Sequence, residues 1–152
     1  MAKILSIFIS SEKAKPLQSM SFVEVAAGLG IEGDRYFSKA GTFSAKSFEG
    51  RNITLIESEA LEALERDYGI SIEPGEHRRN LVTQGIALNH LVGRTFKVGD
   101  VTLKGVKLCE PCGHLEKLTA KEGIRNGLIH RGGLRADVLS DGVVRVGDEI
   151  EI

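Results

Sequence analysis

Tryptophan is absent from this chain, and aromatic residues together make up only 5% of it. So few rings leave little for bases to stack on, which argues against recognition of single-stranded nucleic acid. Charge of one sign is lacking too. The formal net charge of -1 supplies no global field to recruit nucleic acid or an anionic membrane. No apolar run approaches the length of a membrane span, and "MAKILSIFISSEK" at the N-terminus holds none long enough for a signal peptide. Cysteines number two, closely spaced, so no disulfide framework is available and a reducing cytoplasm is the expected compartment. Prolines number three, and no linker, repeat or low-complexity tract interrupts the 152 residues. A single domain over residues 1–152 is expected, with an ordinary soluble balance of 27% charged and 41% apolar residues.

What is present reads mostly as strand. "KILSIFIS" and "SFVEVAA" are β-branched and aromatic runs, and "ITLIE" is a third. "GLGIEGDRYFSKAGTFSAKSFEGRN" is rich in Gly and Ser without periodicity, a long surface loop of the kind that often carries function. "SEALEALERDYG" is the clearest helix. Ser58 is its expected N-cap, Leu61, Leu64 and Tyr68 its apolar face, and Gly69 its stop. "RTFKVGDVTL" and "VVRVGDEIEI" each place Val-Gly-Asp between apolar alternations, a hairpin signature. In "VTLKGVKL" the alternation slips at Gly105, which predicts a β-bulge. The expected class is α+β, mostly β, with a barrel-like closed or partly open sheet and a few short peripheral helices.

Chemistry concentrates at "KLCEPCGHLEKL". Cys109 and Cys112 stand as Cys-x-x-Cys, a spacing that serves a redox pair, half a zinc site or a soft metal ligand set. A thiol at a helix N-terminus has its pKa lowered from about 8.5, as a dithiol oxidoreductase needs. Against that reading, no proline follows Cys112 and the alternating βα pattern of thioredoxin-like proteins is missing. For zinc, Cys109, Cys112 and His114 supply three ligands, with His77, His90 or His130 as a distant fourth. Structural zinc sites generally bring a second close pair, and none is here. The plainest reading of Cys109, at the end of an apolar strand, is a buried small apolar group. Lys121 reads as a cation in a solvated stretch.

Four stretches in order, "GIEGDRY", "RRNLVTQGIALNHLVGRTFKVGDVTLKGVKLCEPC", "HRGGLRADVL" and "GVVRVGDEIEI", resemble the MOSC domain, the module named for the C-terminal part of molybdenum cofactor sulfurase. "RNITLIESEALEAL" fits between the first two, and the chain is most similar to the small stand-alone bacterial members. The resemblance implies a β-barrel-like fold that handles molybdenum cofactor or activated sulfur. It places the molybdenum-ligating, catalytic cysteine at Cys112, with Cys109 a non-ligand neighbour. It places further cofactor-binding positions at Arg35, Arg78 and Asn80, with Ser11 and Lys15 the nearest matches for a serine and a lysine after the first strand.

The residue types suit that cofactor, a pterin dithiolene bearing a phosphate. A thiolate is a soft ligand, guanidinium groups grip phosphate in bidentate fashion, and an amide offers a donor and an acceptor to a pterin edge. His130 and Arg131 in "IHRGGLR" are candidates to line the same pocket, while Gly132 and Gly133 read as a tight turn. The extra N-terminal region or pyridoxal-phosphate domain of the enzymatic relatives is not expected here. Two classes stay open: a cofactor-binding or sulfur-carrier protein, and a molybdenum-dependent reductase of N-hydroxylated substrates served by a separate electron donor. The expected partners are the cofactor or a sulfur donor or acceptor protein, with no nucleic acid and no membrane.

Overall fold

The structure, a computed structural model, describes residues 1–12, 15–35, 37, 52–111, 115, 119, 121 and 123–152. In chain order the strands are β1 (Lys3–Ile9), β2 (Gln18–Met20), β3 (Phe22–Ala26), β4 (Gly30–Ile31) and β5 (Ile53–Glu57). Helix α1 (Ser58–Tyr68) leads to β6 (Leu81–Gln84), a 3-10 turn (Leu88–Leu91), β7 (Thr95–Val98) and β8 (Val101–Leu108). A short α2 (Ile124–Gly127), β9 (Leu134–Val138), β10 (Gly142–Arg145) and β11 (Ile150–Glu151) complete the chain.

Eight strands form one curled sheet in the order β11-β7-β8-β9-β5-β6-β1-β2, and β10-β3-β4 form a second. The curl brings the two sides together at one end. Ile4 N–H donates to Asp148 O at 2.9 Å, Ile150 N–H to Ala2 O at 2.9 Å, and Lys3 bridges to Glu149. The result is the expected barrel-like sheet, a half-barrel. Its one parallel pair among the described strands is β5–β6, and α1 with the chain that follows it forms the crossover that a parallel pair requires.

Alternation places the core. Leu134, Ala136 and Val138 of β9 face inward with Ile53 and Leu55 of β5, Leu81 of β6 and Leu103 of β8. Val23, Val25 and Val144 of the small sheet join the same cluster, so the second sheet covers the concave side. Each large side chain buried there stabilises the fold by roughly 1.5–3 kcal/mol. Phe8, Ile56 and Val82 face the other way, and Leu61 of α1 packs on them.

Several expectations hold in detail. Val98 pairs with Val101 around a two-residue Gly99-Asp100 turn, and the register of β8 against β9 slips between Gly105 and Lys107. A side chain at Gly105 would meet Leu91 O at 2.1 Å, so the 3-10 turn can pass over the bulge only because glycine is there.

Others are corrected. The second Val-Gly-Asp closes no hairpin, because β10 pairs with β3 and β11 with β7. The Gly147-Asp148 turn instead carries the chain from one sheet to the other. Ser58 is the first helical residue rather than the cap; Glu57 holds the extended N-cap position without a side-chain cap bond. The helix buries Ala60, Ala63 and Leu64, while Tyr68 is 56% exposed. Tyr68, in the last turn, flanks Gly127 of α2 instead of entering the core. Gly69 ends the helix in the left-handed region at φ 66°, as expected. "SFVEVAA" is preceded by the short β2, and the expected long loop opens with β4. Residue 36 and residues 38–51 of that loop lie outside the described residues.

Candidate functional site

The cofactor-binding residues expected from the sequence, Ser11, Lys15, Arg35, Arg78 and Asn80, are scattered over the first eighty positions, and the fold draws most of them to one place. Arg35 lies in the turn after β4. Its backbone N–H donates to Ser10 O at 2.6 Å, and Asp34 Oδ1 accepts from Ser10 N–H at 3.1 Å. The Arg35 guanidinium is 4% exposed by residue, bonded to Asp34 at 3.2 Å and to the Arg78 carbonyl at 3.2 Å. Arg78 in turn donates from its guanidinium to the Lys15 carbonyl. Ser11 and Lys15 are exposed on the turn that follows β1. Arg35, Arg78 and the backbone at Ser10 and Lys15 therefore meet.

Arg78 has φ 66°, a left-handed conformation that costs a residue with a Cβ about 1 kcal/mol or more. It lines a cleft of about 240 Å³ with Pro16, Leu17, Pro74, Glu76 and Thr119. Glu76 is held by the Lys121 ammonium at 2.6 Å. Lys121 is thus not the solvated cation expected, because it clips the Ser71–Glu76 segment to the chain beyond the cysteines.

Asn80 is fully buried. Its Oδ1 accepts from the Thr54 N–H and hydroxyl, both at 3.1 Å, and its Nδ2 donates to Phe8 O at 3.1 Å. The amide ties β1, β5 and β6 together where the cleft begins. Of the expected cradle residues, Arg78 lines the cleft, while Arg35 and Asn80 stand behind it.

Arg79 was not singled out from the sequence, and it is the link to the cysteines. It is 7% exposed, and its guanidinium donates to Gly132 O at 2.8 Å, Cys109 O at 3.0 Å and His77 O at 3.0 Å. No carboxylate pairs with it among the described residues. A buried guanidinium held only by carbonyl dipoles keeps a positive potential around it. His77 registers that potential. Burial first, then the Arg79 and Arg78 charges, push its pKa down to about 3. The imidazole is neutral, and its Nδ1 accepts the Arg79 N–H at 2.9 Å.

At the other end of the Arg79 clamp, Cys109 is 3% exposed and its N–H donates to Gly133 O at 2.7 Å. Cys109 packs as a small apolar group. Gly132 and Gly133 are needed for close approach: a Cβ would meet Cys109 O at 2.3 Å and Leu55 O at 1.9 Å respectively. His130 is exposed and bonded to Glu110 through N–H at 2.7 Å and Nδ1 at 2.8 Å, on the outer side of the same turn. Arg131 is exposed beside it. Cys112 and His114 lie outside the described residues, and no cluster of three or more metal-ligating side chains occurs among the described ones.

A profile of the MOSC domain matches residues 37–151. The chain belongs to the MOSC domain family. Solved structures agree on the fold. The YuaD protein of Bacillus subtilis superposes with a TM-score of 0.81 at 20% identity, covering 99% of this chain and 95% of that one. YiiM of Geobacillus stearothermophilus gives 0.73 at 17% identity, over 99% of this chain and 74% of that one. YiiM of Escherichia coli gives 0.68 at 16% identity, over 98% and 68%. No curated protein matches the sequence. The MOSC family is associated in general with molybdenum cofactor and sulfur-related functions. The donor set fits an anionic cofactor: a cation on the cleft, two further guanidinium groups behind it, and one buried carboxylate, Asp34, to offset them.

Proposed function

We propose that this MOSC domain binds molybdenum cofactor or carries activated sulfur, with Cys112 as the molybdenum ligand or persulfide carrier and Arg78 as the contact to the cofactor phosphate. The observation that carries the reading is the convergence of Arg35, Arg78 and Arg79 at one end of the half-barrel, joined through Cys109 O to the strand that leads into Cys112.

Each residue then has a separate task. Arg78 offers a planar fork to phosphate from a half-buried position. Arg35 donates to the Arg78 carbonyl and fixes the backbone from which that fork projects. Asn80 positions the strands beneath. Arg79 holds the end of β8 and the Gly132–Gly133 turn in register. Molybdenum cofactor, when bound, supplies a two-electron metal centre on a dithiolene, for which a thiolate is the matching soft ligand. In the carrier role, a thiolate acceptor attacks the outer sulfur of a Cys112 persulfide. The S–S bond breaks, the acceptor leaves as a persulfide, and Cys112 returns to thiolate. Cys109, sealed in the core, favours a one-thiol site over a dithiol pair.

Native mass spectrometry with metal analysis, on protein from molybdate-replete cells, tests this. Molybdenum with a pterin-sized adduct, or one extra sulfur removable by reductant, is the expected result. Cys112→Ser should abolish either species, because oxygen is too hard a substitute. Cys109→Ser should keep most of it. Equal loss from both variants in folded protein would restore the dithiol reading, and stoichiometric zinc the structural metal.

Arg78 can be examined alone by titrating apo-protein with isolated cofactor. Arg78→Ala should weaken binding by about tenfold to a hundredfold, since a charge-assisted hydrogen bond is worth roughly 1.5–3 kcal/mol. Arg78→Lys should fall between that and wild type, keeping the charge without the fork. Lys97, exposed on β7, is the neutral control. If Arg78→Ala and Lys97→Ala bind alike, the phosphate sits elsewhere.

A further inference from the structure

A second cleft, of about 280 Å³, lies between α1 and the convex face of the sheet, on the far side of Pro74 from the Arg78 cleft. Its floor is mostly apolar, made by Phe8 and Val82 with Ile72 beside them, and Ser6 adds a hydroxyl. His77 lines it as well, 3% exposed. Because Nδ1 accepts the Arg79 N–H, the imidazole proton sits on Nε2. Phe8 meets the ring edge to face at 5.2 Å, and the Nε2–H has no partner among the described residues. The Nε2 atom is accessible to solvent rather than sealed in the core, so a ligand oxygen that accepts from it takes the place of a water.

The rim has the opposite character. Glu62 and Glu65 of α1 and Glu73 stand there, exposed, and none forms an ion pair among the described residues. The His77 donor and the Ser6 hydroxyl beside an apolar surface, with three carboxylates at the mouth, define complementary chemistry in a ligand.

We infer that this cleft is a second ligand site, for a small organic cation that carries an apolar body and a hydrogen-bond-accepting oxygen at the end opposite its charge. The oxygen accepts from His77 Nε2–H, the body lies along Phe8 and Ile72, and the cation stays at the glutamate rim. This site stands independently of the cofactor reading, since none of its chemistry uses Arg78 or either cysteine.

Tyramine, with a phenol oxygen at one end and an ammonium at the other, is a suitable probe for calorimetric titration of the whole protein. Saturable binding on the order of 1 mM or tighter is expected. Phenethylamine, which lacks the oxygen, should bind about threefold or more weaker. The anionic 3-(4-hydroxyphenyl)propionate should not bind. Replacing Glu62, Glu65 and Glu73 together by Gln should weaken tyramine about tenfold, while Glu151→Gln on β11 changes nothing. A long-range 1H–15N spectrum gives a readout free of substitutions, because the His77 Nε2 resonance should move with tyramine. Absence of saturable binding would overturn the site, as would affinity indifferent to the three glutamates. An unmoved Nε2 resonance at saturating tyramine would overturn it too, leaving water as the occupant.

Discussion

Gly133→Ala is expected to lower the unfolding free energy by about 3–5 kcal/mol, a large share of the 5–15 kcal/mol typical of a domain. An added Cβ would lie 1.9 Å from Leu55 O and 3.0 Å from Leu55 C, both backbone atoms of a central strand. Neither can move without separating β5 from β9 or β6. The backbone at Gly133 also has φ 115°, where a residue with a Cβ is strained before any contact is counted. Gly28 separates the two causes. It has φ 75°, and a Cβ added there would meet nothing within 4 Å, so Gly28→Ala should cost only the conformational strain, roughly 1 kcal/mol. Urea unfolding measures both, with a lower midpoint and an unchanged slope expected for each. If the two variants lose the same amount, close approach to Leu55 is not what selects glycine at 133. The consequence reaches the site. Gly133 O accepts from Cys109 N–H and Gly132 O from Arg79, so displacing this turn loosens the strand end that leads to Cys112.

The features legible in the sequence were those decided by neighbours in the chain. The Gly99-Asp100 hairpin, the slip at Gly105 and the stop at Gly69 follow from local backbone preference and alternation. Gly147-Asp148 has the same local chemistry as Gly99-Asp100 and a different outcome, because strand pairing there is settled by β3 and β7, far away in the chain. The same limit applies to the site. Arg78, Arg79 and Asn80 are consecutive polar residues with no periodic cue to say which is buried. Only the fold brings Gly132 O and Cys109 O to Arg79, and only the fold encloses Asn80 between Thr54 and Phe8. Family resemblance pointed to Arg35, Arg78 and Asn80 as a set. It carried no information on which of them lines the cleft.

The acid limit of the fold should be set largely by His77. Its pKa is about 3 in the folded chain, against 6.5 when unperturbed, because burial and the Arg79 and Arg78 charges oppose its protonation. A depressed histidine pKa means that the unfolded chain takes up the proton first. Stability from this group is therefore complete above pH 6.5 and lost progressively as the pH falls toward 3. The slope is about 1.4 kcal/mol per pH unit, and the whole interval amounts to about 4–5 kcal/mol. Carboxylates with lowered pKa, such as Glu76 beside Lys121, add to the loss only nearer their ordinary range. Glu57 works in the other direction, since burial raises its pKa and protonation favours the folded form. The decline between pH 6.5 and about 5 therefore isolates the imidazole. His77→Asn supplies an amide oxygen near the position of Nδ1 to accept the Arg79 N–H, while removing the titration. That variant should start less stable, having lost the ring contact with Phe8, yet its stability should be nearly flat across this window. Chemical denaturation at half-unit pH steps gives both curves. A His77→Asn slope equal to that of the wild type would place the acid sensitivity in another group.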